Sequence, residues 1–147
     1  MKILTSFVDI FNVKGDAICV TTNGITRKDG TAVMGAGIAK TANMRYNLDT
    51  ELGNKLRTTG NHVYDMGIFN QHHIVTFPTK HHWRDLSDLE LIKQSCLELV
   101  ALADSNNWKE IYLPPVGCGC GGLDWDDVEY AISPILDDRF IIIAPRK

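Results

Sequence analysis

Two glycine-rich stretches of the sequence have the composition of phosphate-binding loops. The first, VMGAGIAKT at residues 33–41, places glycines and small residues ahead of a lysine and a threonine. If this stretch opens a helix, its free backbone N–H groups and the positive end of the helix dipole suit an anion. The second, PPVGCGCGGLDW at residues 114–125, contains four glycines, which permit backbone conformations that surround an anion. Both stretches predict a phosphate-containing ligand.

The first stretch departs from the two common nucleotide-binding motifs. A P-loop has a glycine immediately before Lys-Ser or Lys-Thr, and here Ala39 precedes Lys40 and Thr41. The dinucleotide fingerprint GxGxxG requires a third glycine where Lys40 stands. A glycine-rich helix start without a ligand therefore remains an alternative for this stretch, as does a plain strand-to-helix turn for the second.

A third stretch, PTKHHWRDLS at residues 78–87, concentrates basic side chains in a chain of formal net charge -3. It surrounds Trp83 with Lys80, His81, His82 and Arg84. The tryptophan could stack on a base or a ribose while the cations contact phosphate, and a solvated loop is the alternative. The acidic net charge excludes a general positive field that would draw the protein onto nucleic acid or anionic membranes.

The cysteines and the apolar segments indicate a cytoplasmic protein. The four cysteines, Cys19, Cys96, Cys118 and Cys120, show no disulfide-framework spacing, so a reducing compartment is expected. The apolar runs are too short to span a membrane, and no membrane partner is expected. Zinc between Cys118, Cys120 and the histidines is an alternative, but structural zinc sites usually show CxxC spacing. Neither a metal nor a cofactor is predicted.

Short apolar runs alternate with longer segments of helical periodicity, which predicts an α/β protein with a largely parallel sheet. The predicted strands are Ile3–Thr5, Ala17–Thr22, Ile74–Phe77, Ile111–Leu113 and Phe140–Ala144. The predicted helices are Gly35 to about Tyr46, Thr50–Thr58, Ser87–Ala103 with Ser87 and Glu90 as a capping box, and one that opens near Asp124. Loops at the carboxyl ends of the strands should carry the site.

Taken together, the three stretches resemble those of the macro domain, an ADP-ribose-binding module. The similarity extends over nearly the whole chain, and resembles in particular the subgroup of the DNA ADP-ribosyl glycohydrolase antitoxins and the terminal ADP-ribose protein glycohydrolase. It implies one macro domain at residues 1–147, with a three-layer α/β/α fold around a mixed, mostly parallel central sheet. The resemblance is carried by VDIFNVKGDAICVTTNG (8–24), VMGAGIAK (33–40), FPTKHHWRDLSDLELI (77–92) and LPPVGCGCGGLDWDDV (113–128).

The resemblance implies a set of ligand-binding residues. Asp9, with Ile10, would contact the adenine amine, whereas Asp16 would only start a strand. Thr21 and Asn23 would contact the distal ribose. The two phosphate loops would be formed by Gly35, Ala36, Gly37 and Ile38 and by Val116, Gly117, Cys118, Gly119, Cys120, Gly121 and Gly122, and the set is completed by Thr79 and Trp83.

The catalytic pattern of the family is matched less completely. In this subgroup a lysine in a pattern like GIAxxFK is implicated at the anomeric carbon, but the aligned residue here is Asn43, and Lys40 lies one helical turn earlier. The aspartate of the protein-directed enzyme aligns near Gly121, which points to the antitoxin branch. The catalytic candidates are therefore Lys40, Lys80 and Asn23. A Cys118 thiolate remains an alternative nucleophile, although nothing in the sequence marks its base.

The expected function is recognition of ADP-ribose coupled to hydrolysis of an ADP-ribosyl linkage on mono-ADP-ribosylated DNA or protein. The expected partner is ADP-ribose or an ADP-ribosylated macromolecule, with ADP-ribosylated single-stranded DNA as one candidate. A non-catalytic ADP-ribose reader is one alternative. An ADP-ribose 1''-phosphate phosphatase assisted by His81 or His82 is another. The insertion Ile25–Ala32 would lie beside the distal ribose and could bring Arg27 or Lys28 to a phosphate.

Overall fold

A six-stranded mixed sheet forms the centre of the molecule. The computed structural model describes residues 1–6 and 8–143. The sheet has the order β1-β6-β5-β2-β4-β3, in which β3 and β4 are antiparallel and the other neighbouring strands are parallel. The strands are β1 (Lys2–Leu4), β2 (Ala17–Thr22), β3 (Tyr64–Phe69), β4 (His72–Pro78), β5 (Ile111–Leu113) and β6 (Phe140–Ile143). The expected mixed, mostly parallel sheet is confirmed.

Four α-helices cover this sheet. They are α1 (Gly37–Tyr46), α2 (Asp49–Thr58), α3 (Leu89–Asn106) and α4 (Trp125–Ile132). Two short 3₁₀ helices, Ile10–Asn12 and Gly119–Gly121, lie in the connections. Within the part of the chain that the structure describes, no helix is both long and apolar enough to cross a membrane.

Helices pack on both faces of the sheet, which gives the predicted three α/β/α layers. In β2, Ala17 and Cys19 join the hydrophobic core that α3 and α4 complete. Ile18 and Val20 of the same strand join the core on the opposite face, with α1 and α2. Successive side chains of a strand point to opposite faces of the sheet, and helices cover both faces here. All four residues are therefore fully buried.

Sequence periodicity located five of the six strands and missed the edge strand β3. Its segment YDMGIF contains a glycine, is only partly buried and has a register shift between Asp65 and Ile68. Asn70 and Gln71, both with positive φ, form the tight turn to β4. The last predicted strand ended at Ala144, which lies outside the described residues.

Two helix starts differ from the prediction. Helix α3 is capped by Asp88, whose side chain accepts a 3.0 Å hydrogen bond from the Glu90 N–H, and not by Ser87. Ser87 is buried, and its backbone N–H donates to the carbonyl of Gly121. Helix α1 begins at Gly37 and leaves Gly35 in the preceding loop.

Asp16 has the structural role expected at the start of a strand. Its carboxylate accepts hydrogen bonds from the N–H groups of Lys109 (2.7 Å) and Glu110 (3.0 Å). These bonds tie the beginning of β2 to the segment that leads into β5, at the edge of the sheet away from the strand ends that carry the glycine-rich loops.

Candidate functional site

A cavity of about 780 Å³ opens at the carboxyl ends of β2 and β4, beside the loop that follows β5. Its volume lies in the range typical of small-molecule sites, and its place is the one expected for ligands in α/β folds. Segments from all three predicted stretches form its wall: Gly35–Ala39, Thr79–Lys80 with Trp83, and parts of the loop 114–121. The structure therefore brings segments of all three predicted stretches together at one cavity.

The start of α1 presents unpaired hydrogen-bond donors at the cavity wall. Its N-cap, Ala36, has no side chain that could accept a hydrogen bond, and the first turn contains no acidic residue. The first N–H with a helical partner is that of Lys40, which donates to the Ala36 carbonyl at 3.2 Å. In the described residues, the N–H groups of Gly37, Ile38 and Ala39 have no acceptor. These donors and the helix dipole form a potential anion site.

Gly35 and Gly37 keep this end of the cavity open. A Cβ atom at either position would meet no heavy atom within 4 Å. Gly37 also has a φ of +57°, which L-residues with side chains rarely adopt. Gly37 therefore meets the need for a positive φ. At Gly35 neither packing nor φ excludes a side chain, so its lack of one leaves the approach to the start of α1 open.

The second glycine-rich loop adds a further donor to the cavity wall. Gly117 and Gly119 have φ values of +81° and +65°, and residues Gly119–Gly121 form a 3₁₀ turn without a side-chain cap. In the described part of the chain, the N–H groups of Gly119 and Cys120 have no acceptor. Gly117, Cys118, Cys120 and Gly121 line the cavity. Val116 lies in the core beneath the loop, and Gly119 and Gly122 are exposed without lining the cavity.

Gly121 is glycine because Ser87 packs directly against it. A Cβ atom at this position would collide with the Ser87 side-chain oxygen, and the Ser87 N–H donates to the Gly121 carbonyl at 2.8 Å. A carboxylate-bearing residue at this position, as the protein-directed enzyme of the subgroup would have, requires Ser87 to move.

The structure separates the two candidate lysines. Lys80 lines the cavity, and its Nζ donates to the carbonyl of Cys120 at 3.1 Å. Lys40 is exposed on α1 and does not line the cavity. Asn43, which aligns with the lysine of the subgroup, accepts hydrogen bonds from the N–H groups of Leu48 (2.9 Å) and Asp49 (3.0 Å) through its side chain. Asn43 thus joins α1 to the start of α2.

Asn23 holds the insertion that borders the cavity. Its side-chain amide donates to the carbonyl of Val33 at 3.0 Å and accepts from the N–H of Ile25 at 3.0 Å, which fixes both ends of residues 25–33. Within the insertion, a bridge pairs Thr26 with Ala32. Asn23 lines the cavity, so its side chain shapes the wall even though both of its polar groups are engaged.

The insertion also places a cation at the wall. Arg27 lines the cavity, donates to the Ala32 carbonyl at 3.1 Å and lies 4.0 Å from the carboxylate of Asp49. The structure thus places Arg27, one of the two cations that the insertion was expected to contribute, at the cavity wall. Lys28 is exposed and does not line the cavity.

Asp9 and Ile10, the predicted adenine contacts, do not line the cavity. The Asp9 carboxylate accepts a 3.0 Å hydrogen bond from the Phe11 N–H and lies 4.0 Å from the guanidinium of Arg45. Thr21, at the end of β2, does line it. Thr79 lines it as well and is buried. Its N–H donates to the Thr22 carbonyl, and its own carbonyl accepts from the N–H of Asp88.

The cysteines and histidines of the region lack the features of a nucleophile or metal site. Burial, and then the negative charge of Asp124, raise the pKa of the Cys118 thiol, which keeps it protonated at neutral pH. His81 lies outside the cavity wall, where its Nε2 is 2.8 Å from the Asp88 carboxylate. Among the described residues, no three His, Cys, Asp or Glu side chains are arranged to hold a metal ion.

Several residues of the cavity wall were not predicted from the sequence. They are Thr22, Val33, Ala39, Ser87, Pro114 and Pro115. Three of them, Thr22, Ala39 and Pro115, are direct neighbours of predicted residues, so an extension of each predicted set by one residue would have found them. Ser87 gave no such signal, because its position before a helix is typical of a cap.

Comparisons of sequence and of structure with known proteins indicate the same family. The model of the macro domain family matches residues 28–132. A DNA ADP-ribosyl glycohydrolase of Mycobacterium tuberculosis is 34% identical over 128 residues, which are 82% of this chain and 35% of that protein. The chain thus spans about a third of the length of this curated relative.

Solved structures show the same similarity over almost the full chain. The macrodomain of Mycobacterium tuberculosis DarG is 30% identical, with a TM-score of 0.81 over 98% of both chains. The macrodomain of Thermus aquaticus DarG is 25% identical, with a TM-score of 0.79 over 98% of this chain and 97% of that one.

Proposed function

The chain belongs to the macro domain family, and from this premise we propose that it binds ADP-ribose in the cavity and hydrolyses an ADP-ribosyl bond on DNA. The diphosphate would lie between the start of α1 and the second glycine-rich loop. We also propose that residues 1–147 form one macro domain. DNA is preferred to protein as the carrier because the relatives are named DNA ADP-ribosyl glycohydrolases.

The observation that carries this proposal is the set of free main-chain amides in two segments of the cavity wall. Gly37, Ile38 and Ala39 supply donors at the start of α1, and Cys120 supplies one in the second glycine-rich loop. A diphosphate presents several anionic oxygens, so it can accept hydrogen bonds from both segments at once. Hydrogen bonds to anionic acceptors are about twice as strong as neutral ones, and fixed amides need no reorganisation on binding.

We assign the chemical step to Lys80 and not to Lys40. Lys80 lines the cavity and contacts Cys120 of the second glycine-rich loop, whereas Lys40 is exposed to solvent. As an amine, Lys80 would form a bond to the anomeric carbon while the glycosidic bond to the base breaks and the base leaves with a proton. Water would then release ADP-ribose from the adduct and regenerate the amine.

Paired lysine variants test the assignment. Lys80→Ala should abolish release of ADP-ribose from a modified single-stranded oligonucleotide and change the Kd for ADP-ribose by less than about fivefold. Lys40→Ala is the matched control and should retain both activities. The ribose ring of the lysine adduct can open to give an imine at the anomeric carbon, and borohydride reduces an imine to a stable amine. Borohydride treatment during turnover should therefore attach ADP-ribose to the wild type but not to Lys80→Ala. Normal turnover by Lys80→Ala contradicts the assignment.

A panel of substrates tests the reaction itself. The wild-type protein is incubated with ADP-ribosylated DNA, ADP-ribosylated protein and ADP-ribose 1''-phosphate, and free ADP-ribose is measured. Release from the DNA alone supports the proposal, whereas release from the phosphate alone indicates a phosphatase. Tight binding of ADP-ribose without release from any substrate identifies a reader.

We also propose a cytoplasmic location. All four cysteines are free in the structure. Cys118 and Cys120 lie in the second glycine-rich loop, where oxidation of their side chains would obstruct the ligand. A reducing compartment protects such a loop.

A further inference from the structure

The cavity mouth carries an exposed tryptophan beside two basic side chains. Trp83 lines the cavity and is 44% exposed, although tryptophans are on average highly buried. The guanidinium carbon of Arg84 lies 4.7 Å from the centre of the Trp83 ring. The ring of His82 lies 5.4 Å from the same ring at an interplanar angle of 31°. We call His82, Trp83 and Arg84 the tryptophan rim.

The tryptophan rim is held by local hydrogen bonds. The backbone N–H of Arg84 donates to Nδ1 of His82 at 3.1 Å, and the N–H of Asp85 donates to the His82 carbonyl at 3.0 Å. The neighbouring His81 is paired with Asp88, the cap of α3. The turn therefore presents Trp83 and Arg84 in a defined arrangement before any ligand binds, which lowers the entropic cost of binding.

The charge of Arg84 is available to an external anion. Among the described residues Arg84 forms no salt bridge, and its side chain is exposed. Asp85 is the adjacent carboxylate, while Asp88 is already occupied by His81 and by the start of α3. A planar guanidinium beside an exposed indole can contact a phosphate and leave aromatic surface for a second planar group.

We propose that the tryptophan rim binds the single-stranded nucleic acid that carries the ADP-ribosyl group. A base next to the modified nucleotide stacks on Trp83, and a backbone phosphate of the strand contacts Arg84. Aromatic stacking combined with backbone cations is how proteins bind single strands without reading their sequence. The inference rests on the proposed function, and it is supported by the position of Trp83, which both lines the cavity and is exposed to solvent.

A local contact of this kind is needed because the molecule as a whole repels nucleic acid. The formal net charge is -3, so affinity for a strand has to come from a few placed groups. A base in a duplex is stacked on its neighbours and has no free face for Trp83. The rim therefore predicts a preference for single strands over duplexes.

The test compares a short and a long carrier of the same modification. Dissociation constants are measured for an ADP-ribosylated mononucleotide and an ADP-ribosylated single strand of about 12 nucleotides, within the span of a single-strand site. The Lys80→Ala background prevents consumption of either ligand. Arg84→Ala is compared with Lys109→Ala, which removes the same charge from an exposed residue at the opposite edge of the sheet.

Arg84→Ala should weaken binding of the long strand roughly tenfold and leave binding of the mononucleotide within about twofold of its starting value. The slope of log Kd against log salt for the long strand should fall by about 0.7, the value for one lost phosphate contact with a single strand. Trp83→Ala should weaken binding of the long strand more than Trp83→Phe does, because phenylalanine keeps an aromatic surface. Lys109→Ala should not change the Kd of either ligand.

Equal losses for both carriers, or no loss for either, overturn the inference while leaving the proposed function intact. An ADP-ribosylated peptide is measured in the same way. If Arg84→Ala weakens binding of the peptide but not of the long strand, the inference is also overturned, since the rim would then bind polypeptide. Failure of the mononucleotide to bind before Arg84 is changed contradicts the proposed function itself. The two failures are thus distinguishable.

Discussion

Gly35→Glu is the substitution that most selectively tests the anion site. Gly35 lines the cavity next to the uncapped start of α1. A Cβ atom here would meet no heavy atom within 4 Å, and the backbone is outside the left-handed region that disfavours side chains. The substitution should therefore leave the free energy of unfolding nearly unchanged, within about 0.5 kcal/mol, as is usual for exposed positions.

The effect on the ligand follows from charge repulsion. A carboxylate about 6 Å from one phosphate charge is repelled by about 3 kcal/mol at an effective dielectric constant of about 20. Because 1.4 kcal/mol corresponds to a factor of ten, the Kd for ADP-ribose should rise roughly 100-fold. The new carboxylate can also accept hydrogen bonds from the free amides of Gly37 and Ile38 and so compete with the ligand.

Isothermal calorimetry with ADP-ribose measures this change, and thermal unfolding checks the fold. Gly35→Gln is the matched control, because it has the size of glutamate without its charge, and Gly35→Ala isolates the smallest steric change. We expect the order of affinity to be wild type, Gly35→Ala, Gly35→Gln and then Gly35→Glu. The reasoning is refuted if Gly35→Glu is folded and binds ADP-ribose as tightly as Gly35→Gln.

Three further predictions concern stability. Gly121→Ala should lower the free energy of unfolding by about 1–3 kcal/mol through its collision with Ser87, and Ser87→Ala in the same chain should restore part of the loss; urea unfolding that shows no such rescue contradicts the packing. Ser95→Ala should cost about 1–3 kcal/mol, measured in the same way, because the buried hydroxyl donates to the Pro78 carbonyl at 2.7 Å. Burial lowers the pKa of His72 below its ordinary value of 6.5, so the unfolded chain takes up this proton at a higher pH than the folded protein does. His72 should therefore make stability fall as the pH drops from about 7 towards the folded-state pKa, and His72→Gln should weaken that dependence; parallel curves for variant and wild type at pH 5.5–7.5 would argue against it.

The sequence predicted best what depends on local pattern. Strand β2 was found because six consecutive residues are buried or nearly so on both faces of the sheet, which leaves an apolar run. The two glycine-rich segments of the cavity wall were found because glycine is favoured where φ is positive, as at Gly37 and Gly117. Both features depend on only a few adjacent residues.

Features that depend on distant parts of the chain were harder to predict. Lys40 is adjacent to the first loop in sequence. One residue along an α-helix is a rotation of about 100°, however, so Ala39 lines the cavity whereas Lys40 is exposed to solvent. Lys80 reaches the second loop, forty residues away, only because β4 and β5 end at the same edge of the sheet. Ser87 likewise acquires its role from Gly121, which sequence spacing cannot show.

In the function that we propose, main-chain amides at the start of α1 and in the second glycine-rich loop bind the diphosphate of ADP-ribose. Amide chemical shifts of the ¹⁵N-labelled protein, followed during titration with ADP-ribose, test it most directly. The account predicts the largest saturable changes at Gly37, Ile38, Ala39 and Cys120. Saturable binding that leaves these four amides unshifted, or no binding at millimolar ligand, would contradict it.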